Sequence, residues 1–399
     1  MRGNSLRLHH VLLALALPIQ LAACASNDRL PALPIADAPA ARVLDIPNAR
    51  FYASGDSARI AAFAESALLK RSRSGTRARE FSFLAISGGG ENGAFGAGLL
   101  AGWSERGTRP KFDVVTGIST GALSAPFAFL GPAYDRRMRD VYTSINADDI
   151  FQKHSPILAT LTNEALTDTT PLRELILEQM SADFVRRIAE EYSKGRLLLI
   201  LTTNLDQGRA VIWNIGAIAE SAHSKARELI VDILLASAAI PGVFPPVMLD
   251  VTANGKRYQE MHVDGGLIAQ AFLYPPSYSP SHLRDKRLRH RLPKRRVAYI
   301  IRNGRVKRAE AEVKRKTLDI SKHAISTMIA SSGVNDTYRI FVTTERDDIK
   351  FRLAHIKNDF DVVSPGPFDR EYMNALYQYG YRLGRRGYHW RDRPLDFSN

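Results

Sequence analysis

Ser119 sits in the pentapeptide Gly117-Ile118-Ser119-Thr120-Gly121, after an apolar run over residues 112–116 and before the small residues 122–125. This is G-x-S-x-G read as strand, sharp turn and helix, which lifts a serine hydroxyl to the tip of a strand beside the positive end of a helix. The flanking glycines permit a turn that a Cβ would obstruct. Taken alone, the pentapeptide suits a nucleophile and an ordinary turn equally well. A second group lies upstream, where an apolar strand over 81–86 runs into Ser87-Gly88-Gly89-Gly90-Glu91-Asn92-Gly93 and a helix follows over 94–103. Consecutive glycines between strand and helix present backbone N–H groups to an anion. No Gly-Lys-Ser/Thr follows, which excludes a P-loop. Gly88-x-Gly90-x-x-Gly93 matches a dinucleotide fingerprint, but no acidic residue closing a second strand completes it. A third group, Asp264-Gly265-Gly266, ends a strand over 258–263, and on local grounds Asp-Gly reads as a hairpin turn. His262 shares a strand face with Asp264 and is read as a structural histidine neighbouring that turn.

The elements that must position these groups alternate between strand and helix. Further strands are expected over 196–203, 210–214, 297–301 and around 349–353, with helices over 226–239, around 324–329 and over 369–385. Residues 135–195 read as mostly helical, with Thr170 as an N-cap and Pro171 at the first helical position. The Pro-rich stretch 241–247 leaves its helix in extended form. Alternation of this kind predicts an α/β/α sandwich with a largely parallel central sheet, in which the glycine turn and the serine turn both lie at carboxyl ends of strands. Small residues at helical spacing (Gly93, Ala97, Ala101 and Ala94, Gly98, Gly102) are expected to let their helix sit close to that sheet.

A chain of 399 residues, 45% hydrophobic and 24% charged, is ordinary globular material. The formal net charge of +14 is not ordinary, and it points to an anionic partner or surface. Cys24 is the only cysteine, so disulfides within the chain and cysteine-based metal clusters are excluded. Arg2 and Arg7 precede an apolar stretch over 11–23, which is shorter than the roughly 20 residues of a spanning helix and fits a secretory signal. It ends in Leu21-Ala22-Ala23-Cys24, which resembles the lipobox of bacterial lipoproteins. That likeness implies cleavage after residue 23 and acylation of Cys24. Ala25, where an Asp would imply retention in the inner membrane, points to the outer membrane facing the periplasm. Residues 24–78 read as a tether punctuated by prolines, followed by one domain over 79–399. Within it, residues 279–296 form a strongly basic insertion, read as a surface loop able to meet anionic lipid. Nucleic acid is set aside as a partner, because the signal peptide contradicts it and aromatics do not alternate with the basic residues.

Taken in order, Gly88-Gly89-Gly90-x-x-Gly93, Gly117-x-Ser119-x-Gly121 and Asp264-Gly265-Gly266 resemble the motifs of the patatin-like phospholipases. Residues 236–246 and 166–172 are similar to that family as well. The resemblance implies a Ser-Asp dyad, with Ser119 as nucleophile and Asp264 as general base. It also implies an oxyanion site at Gly88, Gly89 and Gly90, with Gly93, Gly117, Gly121, Gly265 and Gly266 in support. The implied substrates are carboxyl esters of membrane phospholipids or lysophospholipids, with the membrane also the docking surface. No metal and no cofactor is called for. One departure stands out: the family carries Arg or Lys immediately before the last glycine of the first motif, where this chain has Asn92. Two rival readings remain, a Ser-Asp-His esterase or thioesterase using a late histidine (His282, His290, His323, His355 or His389) and a non-catalytic lipoprotein scaffold.

Overall fold

The computed structural model describes residues 29–75, 80–150, 152–153, 167–279, 293–305, 313 and 315–394, and among these, nine strands form one sheet. In chain order they are β1 (Arg50–Tyr52), β2 (Glu80–Ile86), β3 (Val114–Gly117), β4 (Leu197–Asn204), β5 (Arg209–Asn214), β6 (Val247–Ala253), β7 (Lys256–Asp264), β8 (Arg295–Arg305) and β9 (Lys350–Ile356). The sheet runs β1-β5-β4-β3-β2-β8-β9. Its centre, β4-β3-β2-β8-β9, is parallel, while β5 and β1 close one side antiparallel and the hairpin β6–β7 joins β4 antiparallel.

Helices cover both faces: α1 (Ser57–Arg73), α2 (Gly93–Glu105), α3 (Thr120–Leu130), α4 (Asp135–Thr143), α5 (Thr170–Gln179), α6 (Ala182–Ser193), α7 (Ala226–Ala238), α8 (Thr317–Arg346) and α9 (Arg370–Arg386). Strands buried on both faces read as unbroken apolar runs, and alternate residues then serve two separate cores. Leu84, Ile86, Leu198 and Ile200 pack with α2, α3 and α7, whereas Phe83, Ala85, Leu197 and Leu199 pack with Ile60 and Phe63 of α1 and Ile340 of α8. This is the three-layer α/β/α arrangement expected from the alternation of elements.

Several expectations need correction. The tether does not extend to residue 78. Leu33, Val43 and Ile46 are buried, β1 pairs with β5, and Arg50 forms a buried ion pair with Glu260. Prolines and small residues there give the composition of a spacer, yet the apolar residues between them are irregularly spaced plugs for the sheet edge. The row Gly98, Gly102 faces α9 rather than the sheet: a Cβ on Gly98 would stand 2.0 Å from Tyr377 O, and one on Gly384 would stand 2.3 Å from Leu99 O. Glycines on both helices thus bring two backbones into contact. The β6–β7 hairpin was unforeseen, although its turn, Asn254-Gly255, has both residues at positive φ, the conformation that Asn-Gly favours. Asp264-Gly265 is no hairpin turn; the Asp264 carboxylate caps a short 3-10 turn, Gly265–Leu267. Thr169 rather than Thr170 is the N-cap of α5, one residue earlier than expected. Of the basic insertion, Arg295 and Arg296 open β8 and pair with Glu80 and Asp348, while residues 280–292 lie outside the described residues. Cys24 and the signal segment lie outside them too.

Candidate active site

One edge of β4 accounts for the meeting of Ser119 and Asp264. β3 runs along that edge as far as Gly117, opposite Ile200. β7 takes over the same edge from the other direction, with Asp264 opposite Thr202. The chain turns out of the sheet just after Gly117 and just after Asp264, so both turns rise beside Leu201. There Ser119 and Asp264 line one cleft, and the neighbouring serine favours the ionised form of the Asp264 carboxyl.

Ser119 has φ 55° and ψ −129°, a conformation that costs a non-glycine residue energy and persists only when its surroundings enforce it. Its N–H donates to Ser237 Oγ (3.0 Å), and the Ser237 hydroxyl donates to Leu201 O (2.8 Å). The turn packs against β2 so closely that a Cβ on Gly121 would lie 2.2 Å from Ile86 O, and one on Gly117 would lie 2.4 Å from Gly121 O. Gly93 backs the same turn, since a Cβ there would meet Thr120 Oγ1 at 2.2 Å. Gly265 lies against Leu201 O in the same way, at 2.5 Å.

The glycine loop differs from expectation at its first member. Gly88 N–H donates to Gln270 O (3.0 Å), so it is not open to an oxyanion. Gly89 (φ 153°) and Gly90 (φ 56°) adopt conformations suited to glycine, and among the described residues neither N–H has an acceptor. Asn303 supports the loop from β8: its Nδ2 donates to Ser87 O (2.9 Å) and its Oδ1 accepts from Gly96 N–H (3.1 Å). Asn92, at the position of the absent basic residue, accepts a hydrogen bond from the Tyr372 hydroxyl (2.7 Å), and Glu91 accepts one from Phe368 N–H. Both side chains dock the glycine loop onto the start of α9 and the residues just before it.

Asp264 is 4% exposed. Burial pushes its carboxyl up to about 7, against the opposing influence of the neighbouring Ser119 and of the hydrogen bond from Gly266 N–H (2.7 Å). His262 is wholly buried, and its imidazole is held between Thr202 Oγ1 (2.8 Å) and Glu260 (3.0 Å), with burial lowering its pKa. It is a structural residue of β7. Sequence reasoning assigned no role to Ser237, Asn303 or Gln270. Ser237 lay inside a recognised block without one, and no local signal marks the other two.

Two spaces meet at Ser119. One is an apolar cavity of about 250 Å³ lined by Leu123, Phe127, Leu172, Ile176, Leu234 and Phe244. The other is an open cleft of about 830 Å³ that includes Gly89, Asp264, Gln270, Arg302, Arg305 and His323. An apolar pocket and a polar cleft that converge on a hydroxyl and a neighbouring carboxyl suit an amphipathic substrate. Of the late histidines, His323 lines the cleft, whereas His355 and His389 do not; His282 and His290 lie outside the described residues. Among the described residues, no group of His, Cys, Asp and Glu could hold a metal ion.

Residues 84–274 match the family model described as patatin-like phospholipase, a span that includes all three motifs. No curated protein matches the chain. Similar solved structures include VipD from Legionella pneumophila, at 12% identity over 77% of this chain and 66% of that one, with a TM-score of 0.38. Another is human GIVD cytosolic phospholipase A2, at 9% identity over 83% of this chain and 53% of that one, with a TM-score of 0.28. The chain therefore spans about two thirds of the first structure and about half of the second.

Proposed function

We propose that this chain, which carries a patatin-like phospholipase domain over residues 84–274, is a serine lipid acyl hydrolase working through a Ser119–Asp264 dyad. Its substrates are carboxyl esters of phospholipids or lysophospholipids. The observation that carries this reading is that Ser119 and Asp264 are neighbours at the junction of the apolar cavity and the polar cleft.

Ser119 Oγ attacks the ester carbonyl carbon as Asp264 accepts its proton. The carbonyl π pair moves to oxygen, where the N–H groups of Gly89 and Gly90 meet it; one such donor is worth roughly 2.7–4 kcal/mol. Collapse breaks the ester C–O bond, and the departing alkoxide takes the proton from Asp264. Water then attacks the acyl-Ser119 carbonyl and passes a proton to Asp264. The second collapse frees the fatty acid and returns that proton to Ser119. A carboxyl raised to about 7 is a stronger base than one at its ordinary 3.8, which helps in accepting a serine proton. The acyl chain occupies the apolar cavity, at about 0.8 kcal/mol per buried CH₂. The head group lies in the cleft, where Arg302 and Arg305 supply positive charge.

The membrane association we infer rests on the sequence: the acylated Cys24, an outer-membrane address on the periplasmic side, the strongly positive net charge and the basic stretch 279–296. The packing of residues from Leu33 onward leaves only a short spacer between the lipid anchor and the domain. Products released from a defined panel of diacyl and lysophospholipids, wild type against Ser119→Ala, test the proposal. Fatty acid release that depends on Ser119 is expected, and equal release by both proteins would overturn it.

A further inference from the structure

Gln270 lies just past the Asp264 motif and touches both walls of the site. Its carbonyl accepts the Gly88 N–H (3.0 Å), and its side-chain Nε2 donates to Gly266 O (2.9 Å). Its Oε1 stands 2.6 Å from the point a Cβ on Gly88 would occupy, and Ser119 Cβ stands 3.2 Å from that point. On the other side, Nε2 and Asp264 Oδ1 stand 2.6 and 2.9 Å from the point a Gly266 Cβ would occupy. One buried amide therefore fills the gap between the loop behind Ser119 and the loop that carries Asp264.

Gln270 is itself held from a distant part of the chain. Asp336 of α8 accepts hydrogen bonds at one carboxylate oxygen from the backbone N–H groups of Gln270 (2.5 Å) and Ala271 (3.2 Å). Its other oxygen pairs with Arg339 at 2.7 Å. Asp336 is 4% exposed. A carboxylate is costly to bury, and this one spends its acceptor capacity on the two amides that fix the Gln270 backbone. α8 lies beyond residues 84–274, so the matched family region does not contain this support.

We propose that Asp336 and Gln270 form a brace that sets the separation and aim of Ser119 and Asp264, both acting as positioning residues. The brace rests on the hydrolase reading above. A side chain of equal bulk at 270 would fill the space but would leave Gly266 O without its donor, freeing the Asp264 loop to shift. Displacements of about 1 Å at reacting groups cost on the order of 100-fold in rate.

The test uses the full-length protein with a soluble short-chain ester and a fluorophosphonate probe of the serine, comparing Gln270→Leu, Asp336→Ala, Asp336→Asn and the double variant Asp336→Ala/Gln270→Leu. Gln270→Leu and Asp336→Ala are expected to lower kcat and the labelling rate by about 10- to 100-fold while KM stays within about twofold. Asp336→Asn, which keeps an oxygen for both N–H groups, retains most of the activity. Because the two residues act on one geometry, the double variant loses clearly less than the product of the single losses. Values of kcat within about twofold of wild type for Gln270→Leu and Asp336→Ala, or losses that multiply in the double variant, would overturn the brace. If Asp336→Ala does not fold, Gln270→Leu decides alone through its split between kcat and KM. A wild type whose labelling does not depend on Ser119 refutes the hydrolase reading and the brace with it. A labelled wild type with unaffected variants refutes the brace only.

Discussion

Replacing Asp264 with asparagine should remove activity and, at alkaline pH, make the protein more stable. In the fold, burial lifts the carboxyl from an ordinary 3.8 to about 7, so the protonated form is the one the folded state prefers. Below about pH 4 the group is protonated whether the chain is folded or not, and it imposes no cost. As pH rises through the window between 3.8 and about 7, the unfolded chain ionises freely while the folded chain resists, and wild type loses stability relative to the neutral amide. Above about pH 7 the penalty is constant, and the whole gap corresponds to on the order of 4 kcal/mol. From about pH 5 to about pH 8.5, on the order of 3 kcal/mol of it develops. With an unfolding entropy of about 2 cal/mol/K per residue, the Tm advantage of Asp264→Asn should grow by about 4 °C across that interval. Asparagine keeps an oxygen for Gly266 N–H, so the comparison isolates the charge. Differential scanning fluorimetry of both proteins at the two pH values, alongside ester hydrolysis, reads both effects. Parallel Tm curves would refute the idea that the site holds its base at a cost in stability.

The remaining predictions concern the site and its supports. If Asp264 must be ionised to accept the serine proton, kcat/KM falls tenfold per pH unit below about pH 7, and a rate that is level down to about pH 5 contradicts the assignment. Ile176→Trp fills the apolar cavity, so the ratio of long-chain to short-chain ester hydrolysis should fall about tenfold, read from a series of acyl lengths. Arg50→Met leaves the Glu260 carboxylate buried without its cation, a loss of about 3–5 kcal/mol in unfolding free energy that a surface salt bridge would not show. Neutralising several basic residues in 284–296 should weaken binding of the unlipidated protein to anionic liposomes at low salt, as followed by co-sedimentation.

The parallel centre of the sheet was legible because β2, β4 and β8 each carry a buried, largely apolar stretch. The serine turn and the glycine loop were legible because their backbone geometry demands small residues at fixed spacing. What joins them was not. That Asp264 reaches Ser119 depends on β3 and β7 sharing one edge of β4, a long-range register that no local pattern encodes. The loss of Gly88 as an oxyanion donor depends on the carbonyl of Gln270, far away in sequence. β1 was missed because it is three residues long and begins with an arginine whose charge is matched by Glu260. The hairpin β6–β7 is a different case: Asn254-Gly255 marks its turn, but β6 begins directly after the proline-rich stretch and is only half buried.

The contact between α2 and α9 has a consequence for the order in which the protein is made. α2 begins where the glycine loop ends, and its Gly98 and Gly102 take their partners from residues 377–385, while Glu91 and Asn92 take theirs from Phe368 and Tyr372. A growing chain that has reached residue 300 already holds Ser119, Asp264 and Gln270, but the glycine loop still lacks Asn303, Phe368 and Tyr372 behind it. The last two of those contacts come only from the segment that leads into α9 and from α9 itself. The glycine loop and the helix it opens are therefore tied together by residues more than 270 positions apart in sequence.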